Sequence, residues 1–327
     1  MKKFWRDLLL AFLMGAVLPS VIVHSVIPTE TEEPFQTTIT TETVRESTEE
    51  IPSCKILLRQ TDGSVTEAEL EQYLVGVVLA EMPAYFEDEA LKAQSVVART
   101  YTLKTATGAG KHGDGSICTD SQCCQAYISV MDYLERGGTG ESVNKVRSAV
   151  SATAGEVLVY EGQLIEATYF SCSGGITEDA QAVWGTDYPY LKSVVSPGEE
   201  EAAVYTDTVS FSGAQFQERL GVTLSGNPRD WFGDVSYTAG NGVDVIMIDG
   251  NRYEGKDLRK LLGLRSTNFV VETDEDQILF HTKGYGHRVG MSQYGADAMA
   301  VNGCTYDEIL AYYYQGTELT DAASVMQ

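Results

Sequence analysis

Between Thr29 and Glu50 lie 22 residues that carry little to pack with: fifteen are Thr or Glu, none is Gly, and Arg45 is the one basic group. Such a stretch buries too little apolar surface to offset its ordering entropy, and its like charges repel. It is expected as an extended acidic tether over residues 29–52. It divides the chain into a short leading segment, 1–28, and a folded body, 53–327.

The leading segment reads as a membrane anchor. Lys2, Lys3 and Arg6 precede a mostly apolar run from Leu8 to Val23, interrupted only by Gly15, Pro19 and Ser20 and extendable to Ile27. Positive charge before the run and none soon after predicts a cytoplasmic N-terminus and an exported body. A cleaved signal peptide is the rival reading. Gly15-Ala16-Val17 and His24-Ser25-Val26 are poor small-x-small cleavage sites, so an uncleaved single-pass transmembrane helix is expected.

The body is acidic. The whole chain has 23 Lys and Arg against 47 Asp and Glu, and removing residues 1–50 leaves 19 against 39. Nucleic acid is therefore excluded as a partner, because binding to it runs on neutralised phosphates. A 43% hydrophobic share with 18 Tyr and 10 Phe excludes global disorder.

The expected fold is α+β, a mixed helix and strand domain with an inserted β-rich subdomain at about 207–275. Ile56 to Leu58 before Asp62-Gly63 reads as a strand and turn. Thr66 with Glu69 reads as a capping box opening a helix. Leu70, Tyr73, Leu74, Val77 and Val78 repeat at helical spacing, and Pro83 should end that helix at Glu81-Met82. A second helix is expected from about Glu87. Val243, Val245 and Met247 alternate up to Asp249-Gly250, a hairpin signal.

Three of six cysteines crowd a Gly-rich loop, where His112, Cys118 and Cys124 stand six apart. Thiolates and an imidazole in a short loop suit Zn²⁺, but the spacing is not a common finger pattern, so disulfides or free thiols remain open. Water, Cys123 or an approaching group would complete the set. The run from Lys283 to Gly295 spaces its glycines as GxGxxxG without a βαβ unit, which rejects a dinucleotide loop. It presents His287, Gln293 and Tyr294 instead. Ser171 and Ser173 flank Cys172 in a similar loop, outside any GxSxG elbow. Glu81 ends an apolar helix beside Met82 and Pro83, where burial and the helix dipole both disfavour its anion. A carboxylic acid protonated near neutral pH is what a glycosidic oxygen needs as proton donor.

Val77-Val78-Leu79-Ala80-Glu81-Met82-Pro83, continued by Glu89-Ala90-Leu91-Lys92-Ala93-Gln94 and Ala98-Arg99-Thr100-Tyr101, resembles the stage II sporulation protein D family. The Ser171–Gly175 loop, Val183-Trp184-Gly185, Leu264–Phe269 and Gly286–Gly295 match in the same order, so the resemblance covers about residues 54–319. It implies a membrane-held peptidoglycan lytic transglycosylase of spore engulfment, facing the space between the two membranes. Its substrate would be glycan strands lacking stem peptides. Its partners would be a sporulation amidase or endopeptidase, of the stage II protein P kind, and a membrane scaffold of the stage II protein M kind. The family's acid falls on Glu81, and some members hold zinc with the spacing of His112, Cys118 and Cys124. Ser171, Ser173, Lys283, His287, Gln293 and Tyr294 are the implied substrate contacts. The pattern is broken at Arg288, where a small residue is usual, and at Cys172, where Ser or Thr is common. The rival functions are a non-enzymatic stimulator of a cell-wall amidase and a zinc-dependent hydrolase.

Overall fold

The computed structural model describes residues 54–326, apart from 109, 275 and 276. The segments expected as anchor and tether lie outside the described residues. Among those described, no helix is long and apolar enough to cross a membrane. The chain is a mixed α/β structure whose described strands form five small sheets.

Strand β1 (Lys55–Arg59) turns at Gly63, whose φ of +85° suits glycine, and pairs antiparallel with β2 (Val65–Glu69). This pairing overturns the expected capping box. Thr66 sits opposite Leu58 and Glu69 opposite Lys55, so the ladder holds both residues extended. Helix α1 (Leu70–Glu81) follows with no side-chain cap. It is buried on nearly every face and stops where expected: Met82, ahead of Pro83, is extended at φ −127°, ψ 136°.

Helix α2 (Asp88–Thr107) runs through the centre of the core. Its Arg99, fully buried, makes a two-pronged pair with Glu71 at 2.7 and 2.8 Å and donates to the Val150 and Glu156 carbonyls. One guanidinium thus ties α1 and α2 to two later elements. After α2 the Cys-rich loop returns through β3 (Ile117–Cys118), which pairs parallel with β1. Helices α3 (Val130–Glu135) and α4 (Gly140–Ala152) follow, both N-capped by a hydroxyl. Next come β4 (Glu156–Tyr160), β5 (Gln163–Leu164), β6 (Tyr169–Phe170) and the short helix α5 (Ala180–Trp184).

A second hydrophobic cluster occupies the stretch that follows, around Phe211, Phe216, Trp231, Ile246, Leu258 and Phe280. It is built from β7 (Thr206–Ser212), α6 (Gly213–Leu220), β8 (Phe232–Tyr237), β9 (Val243–Ile248), β10 (Asn251–Glu254), α7 (Gly255–Leu262), β11 (Phe269–Thr273) and β12 (Gln277–Lys283). Strands β9 and β10 meet at Asp249-Gly250, both at positive φ, as a two-residue hairpin requires. The cluster runs past the expected limit near 275, because β12 is the middle strand of its sheet, between β11 and β7. The chain then re-enters the first core through β13 (Met291–Ser292), which pairs parallel with β6. Helices α8 (Gln293–Val301) and α9 (Tyr306–Tyr313) and strand β14 (Glu318–Asp321), paired with β4, complete it.

Candidate active site

Glu81, the last residue of α1, opens into a cleft of about 900 Å³. Its Oε1 accepts the Ala126 N–H at 2.8 Å, and the Tyr169 and Gln293 side chains lie against the carboxyl. Burial raises its pKa and outweighs those three polar contacts, so the acid form is favoured beyond an ordinary glutamate's. Three non-local contacts fix the surroundings. The β6–β13 pairing sets Tyr169 opposite Met291, next to Gln293, and the Tyr169 hydroxyl donates to Gln125 Oε1 at 3.0 Å. Gln293 Nε2 in turn reaches Gln94 Oε1 at 3.5 Å.

Of the six expected substrate contacts, Ser171, His287 and Gln293 line this cleft. His287 is wedged against the Phe170 and Trp184 rings. Its Nδ1 accepts the Val289 N–H at 3.1 Å and its other nitrogen bonds to the Tyr169 backbone, so neither is left for a substrate proton. Burial, helped by the nearby Arg259, lowers its pKa to about 4, and the ring is neutral.

The other three do not line the cleft. Ser173 is fully buried and its hydroxyl donates to Glu199 at 2.8 Å. Glu199 also takes the Ser173 and Gly174 N–H groups, the Cys172 thiol and the Ser196 hydroxyl. Cys172 therefore fills the place of a hydroxyl donor. Lys283 is exposed at the end of β12, opposite Thr206. Tyr294 follows Gln293 on the first turn of α8, about 100° further round, and packs edge-on against Phe86 instead. Arg288, the departure from the family pattern, is buried at φ +66°. It pairs with Glu178 at 3.3 Å and donates to the Ser173, Ile176 and Gly240 carbonyls. It thereby pins the loop of β6 to the turn between β8 and β9.

The sequence reading also passed over Tyr169, Gln125, Tyr101, Trp184 and Tyr285. Tyr101, Trp184 and Tyr285 stand in segments singled out above, but nothing local distinguishes them from core aromatics. Trp184 and Tyr285 keep 42% and 45% of their surface exposed. Beyond Tyr101, Lys111, Thr168 and Trp184 the cleft continues into a second hollow of about 420 Å³.

Beside the cleft, one donor atom from each of His112, Cys118, Cys123 and Cys124 falls within 4.8 Å of the others. His112 Nε2 is 3.7 Å from both Cys123 and Cys124 Sγ, and those sulfurs are 3.9 Å apart. In a tetrahedral zinc site, bonds of about 2.0 and 2.3 Å give donor–donor edges of about 3.5–3.8 Å. The donor set thus fits zinc in kind and spacing, with Cys123 as the fourth member. The loop leads directly into Gln125 and Ala126, the residues that touch the Glu81 site.

Comparison with known proteins places these features. Residues 59–160 match the family model described as SpoIID, stage II sporulation protein. The stage II sporulation protein D of Bacillus subtilis is 37% identical over 98% of this chain and 97% of its own length. That of Bacillus amyloliquefaciens is 39% identical over 93% and 86%. The amidase enhancer of Bacillus subtilis is 31% identical over 76% of this chain but only 40% of its own length. With an apolar helix ending on Glu81, a cleft over it and likeness along nearly the whole chain, the protein belongs to the stage II sporulation protein D family, whose role is in the cell wall of sporulating cells.

Proposed function

We propose that the protein is a lytic transglycosylase that cuts peptide-free glycan strands of peptidoglycan to 1,6-anhydro-muramic ends, with Glu81 as its single acid and base. One observation carries the reading: Glu81 is the one carboxylate among the described residues lining the cleft of about 900 Å³, while Glu166 of the adjoining hollow is paired with Lys104 at 3.4 Å, and burial favours the protonated form of Glu81. Glycoside hydrolysis of the ordinary kind needs two carboxylates about 5–9.5 Å apart. A single acid suffices when the sugar supplies its own nucleophile. Glu81 gives its proton to the glycosidic oxygen as the bond to C1 breaks. As a carboxylate it then takes the proton of the C6 hydroxyl, whose oxygen closes on C1. One C–O bond is exchanged for another, Glu81 regains its proton and no water is consumed. Ala126 and Gln293 hold the carboxyl in place, and the exposed faces of Trp184 and Tyr285 suit stacking against sugar rings.

In this reading His112, Cys118, Cys123 and Cys124 hold one zinc. Four protein donors leave no position for water, so the metal would supply a cross-link for the loop rather than a nucleophile, which weighs against a zinc hydrolase. Residues 1–28 would anchor the chain in the cell membrane with the catalytic body outside the cytoplasm. An amidase acting there would strip the strands first.

The test is mass spectrometry of products from peptide-free strands. The wild type should give anhydro ends lighter than hydrolysed ends by one water, with no oxygen from labelled water, and Glu81→Gln should give none. Labelled reducing ends would instead establish a hydrolase. Likeness to an amidase enhancer favours a second reading, in which the chain stimulates an amidase. A Glu81→Gln chain that keeps full biological effect would select it.

A further inference from the structure

The chain carries 47 acidic against 23 basic side chains, yet its cleft inverts that balance. Against the single carboxylate of Glu81, the lining of the cleft of about 900 Å³ contributes two cations, Lys111 and Arg259, and the adjoining hollow adds only the mutually paired Lys104 and Glu166. They enter from different elements: Lys111 from the Cys-rich loop, Arg259 from α7.

Neither is paired with an acid among the described residues. Lys111 Nζ donates to the Cys123 carbonyl and lies 5.9 Å from the centre of the Tyr101 ring. Arg259 uses its Nε on the Arg265 carbonyl at 3.2 Å. Its two terminal nitrogens, the fork that grips a carboxylate, make no hydrogen bond among the described residues. Arg259 is half-buried, and burial already disfavours its charge. Other buried or partly buried cations found acids: Arg99 has Glu71, Arg288 has Glu178, and Lys192 has Asp179. A half-dried guanidinium with no acid beside it among the described residues, in a protein so rich in carboxylates, suits an anion from outside.

A glycan strand of peptidoglycan carries such anions only when it is stripped. The lactyl carboxylate on every second sugar is free when no stem peptide is attached and becomes a neutral amide when one is. We propose that Lys111 and Arg259 bind the free lactyl carboxylates of muramic acid, so that stem-peptide-bearing strands are rejected by loss of charge and not by bulk alone. The proposal rests on the glycan-cleaving function above and names the residues that set its specificity.

The test uses the full chain and two preparations of peptide-free strands. In one the lactyl carboxylates are free; in the other they are coupled to methylamine, which removes the charge and adds almost no bulk. Affinity is measured with the Glu81→Gln chain and kcat/KM with the wild type. A hydrogen-bonded charge contact is worth about 1.5–3 kcal/mol, so free strands should be preferred by roughly ten- to a hundredfold. Lys111→Met and Arg259→Met should each shrink that preference, lowering affinity for the free strands more than for the coupled ones. Equal binding of the two preparations, no binding of either, or a preference that survives both substitutions overturns the proposal. If neither preparation is cleaved, the transglycosylase reading fails, while the binding comparison still decides this one.

Discussion

Gly76 lies on α1, five residues before Glu81, with Tyr127 packed over it. A Cβ added there would stand 2.3 Å from Tyr127 Cε2 and 2.6 Å from the Ile128 carbonyl oxygen. Ordinary carbon contacts are about 3.5–4.0 Å, so something must move by about 1 Å. Tyr127 cannot swing aside freely, because its ring stacks on Tyr73 with centres 5.5 Å apart. The Ile128 N–H is tied to the Gly76 carbonyl at 3.2 Å. The strain therefore passes into the 126–128 backbone, where Ala126 holds Glu81 at 2.8 Å.

Two magnitudes compete in Gly76→Ala. Replacing glycine inside a helix gains about 1 kcal/mol, and overpacking costs about 1–3 kcal/mol. With backbone as one of the obstacles the cost should win by about 1–2 kcal/mol. At about 2–4 °C per kcal/mol for a body of this size, melting falls by several degrees. Activity should fall further than stability, since about 1 Å of misplacement at a catalytic group can cost about a hundredfold. Thermal melts and cleavage of peptide-free strands well below the melting temperature measure the two. Gly140→Ala is the control, for nothing lies within 4 Å of the added Cβ and the backbone is not left-handed. A Gly76→Ala chain that melts higher than wild type, or melts lower with unchanged kcat, would refute the coupling.

Because burial raises the pKa of Glu81 in the folded state, the native chain binds more protons than the unfolded one just above the ordinary carboxyl range. Wild-type stability should fall as pH rises through that window; Glu81→Gln removes this loss, so urea titrations should show it gaining on the wild type with pH and then levelling off. His287 behaves in the opposite sense: its lowered pKa means that stability is present above pH 6.5 and lost as pH falls toward about 4. Its ring resonances should titrate near 4, and a midpoint near 6.5 would contradict the neutral, wedged ring. Native mass spectrometry should find about one zinc per chain, and chelation or Cys118→Ser should lower the melting temperature; a metal-free chain with a Cys118–Cys124 disulfide would exclude the site.

What could be read from the sequence was local. The end of α1 at Met82 follows from Pro83, and the β9–β10 hairpin follows from Asp249-Gly250, because each signal acts on its immediate neighbours. The same local logic failed at Thr66 and Glu69, where pairing to Leu58 and Lys55 overrode a good capping pattern. Side-chain destinations were hidden for the same reason. Ser173 was lost to Glu199, 26 residues on, and Arg288 was taken by Glu178, 110 residues back. Tyr169 joined the site only because β6 pairs with β13. A polar residue in a tight loop announces that it needs a partner, but topology decides whether the protein provides one. Glu81, Lys111 and Arg259 share the cleft without an ion pair to one another or to any other described residue. Ionisable groups that folding leaves without a charged partner, inside a cleft, are the ones free to meet a substrate.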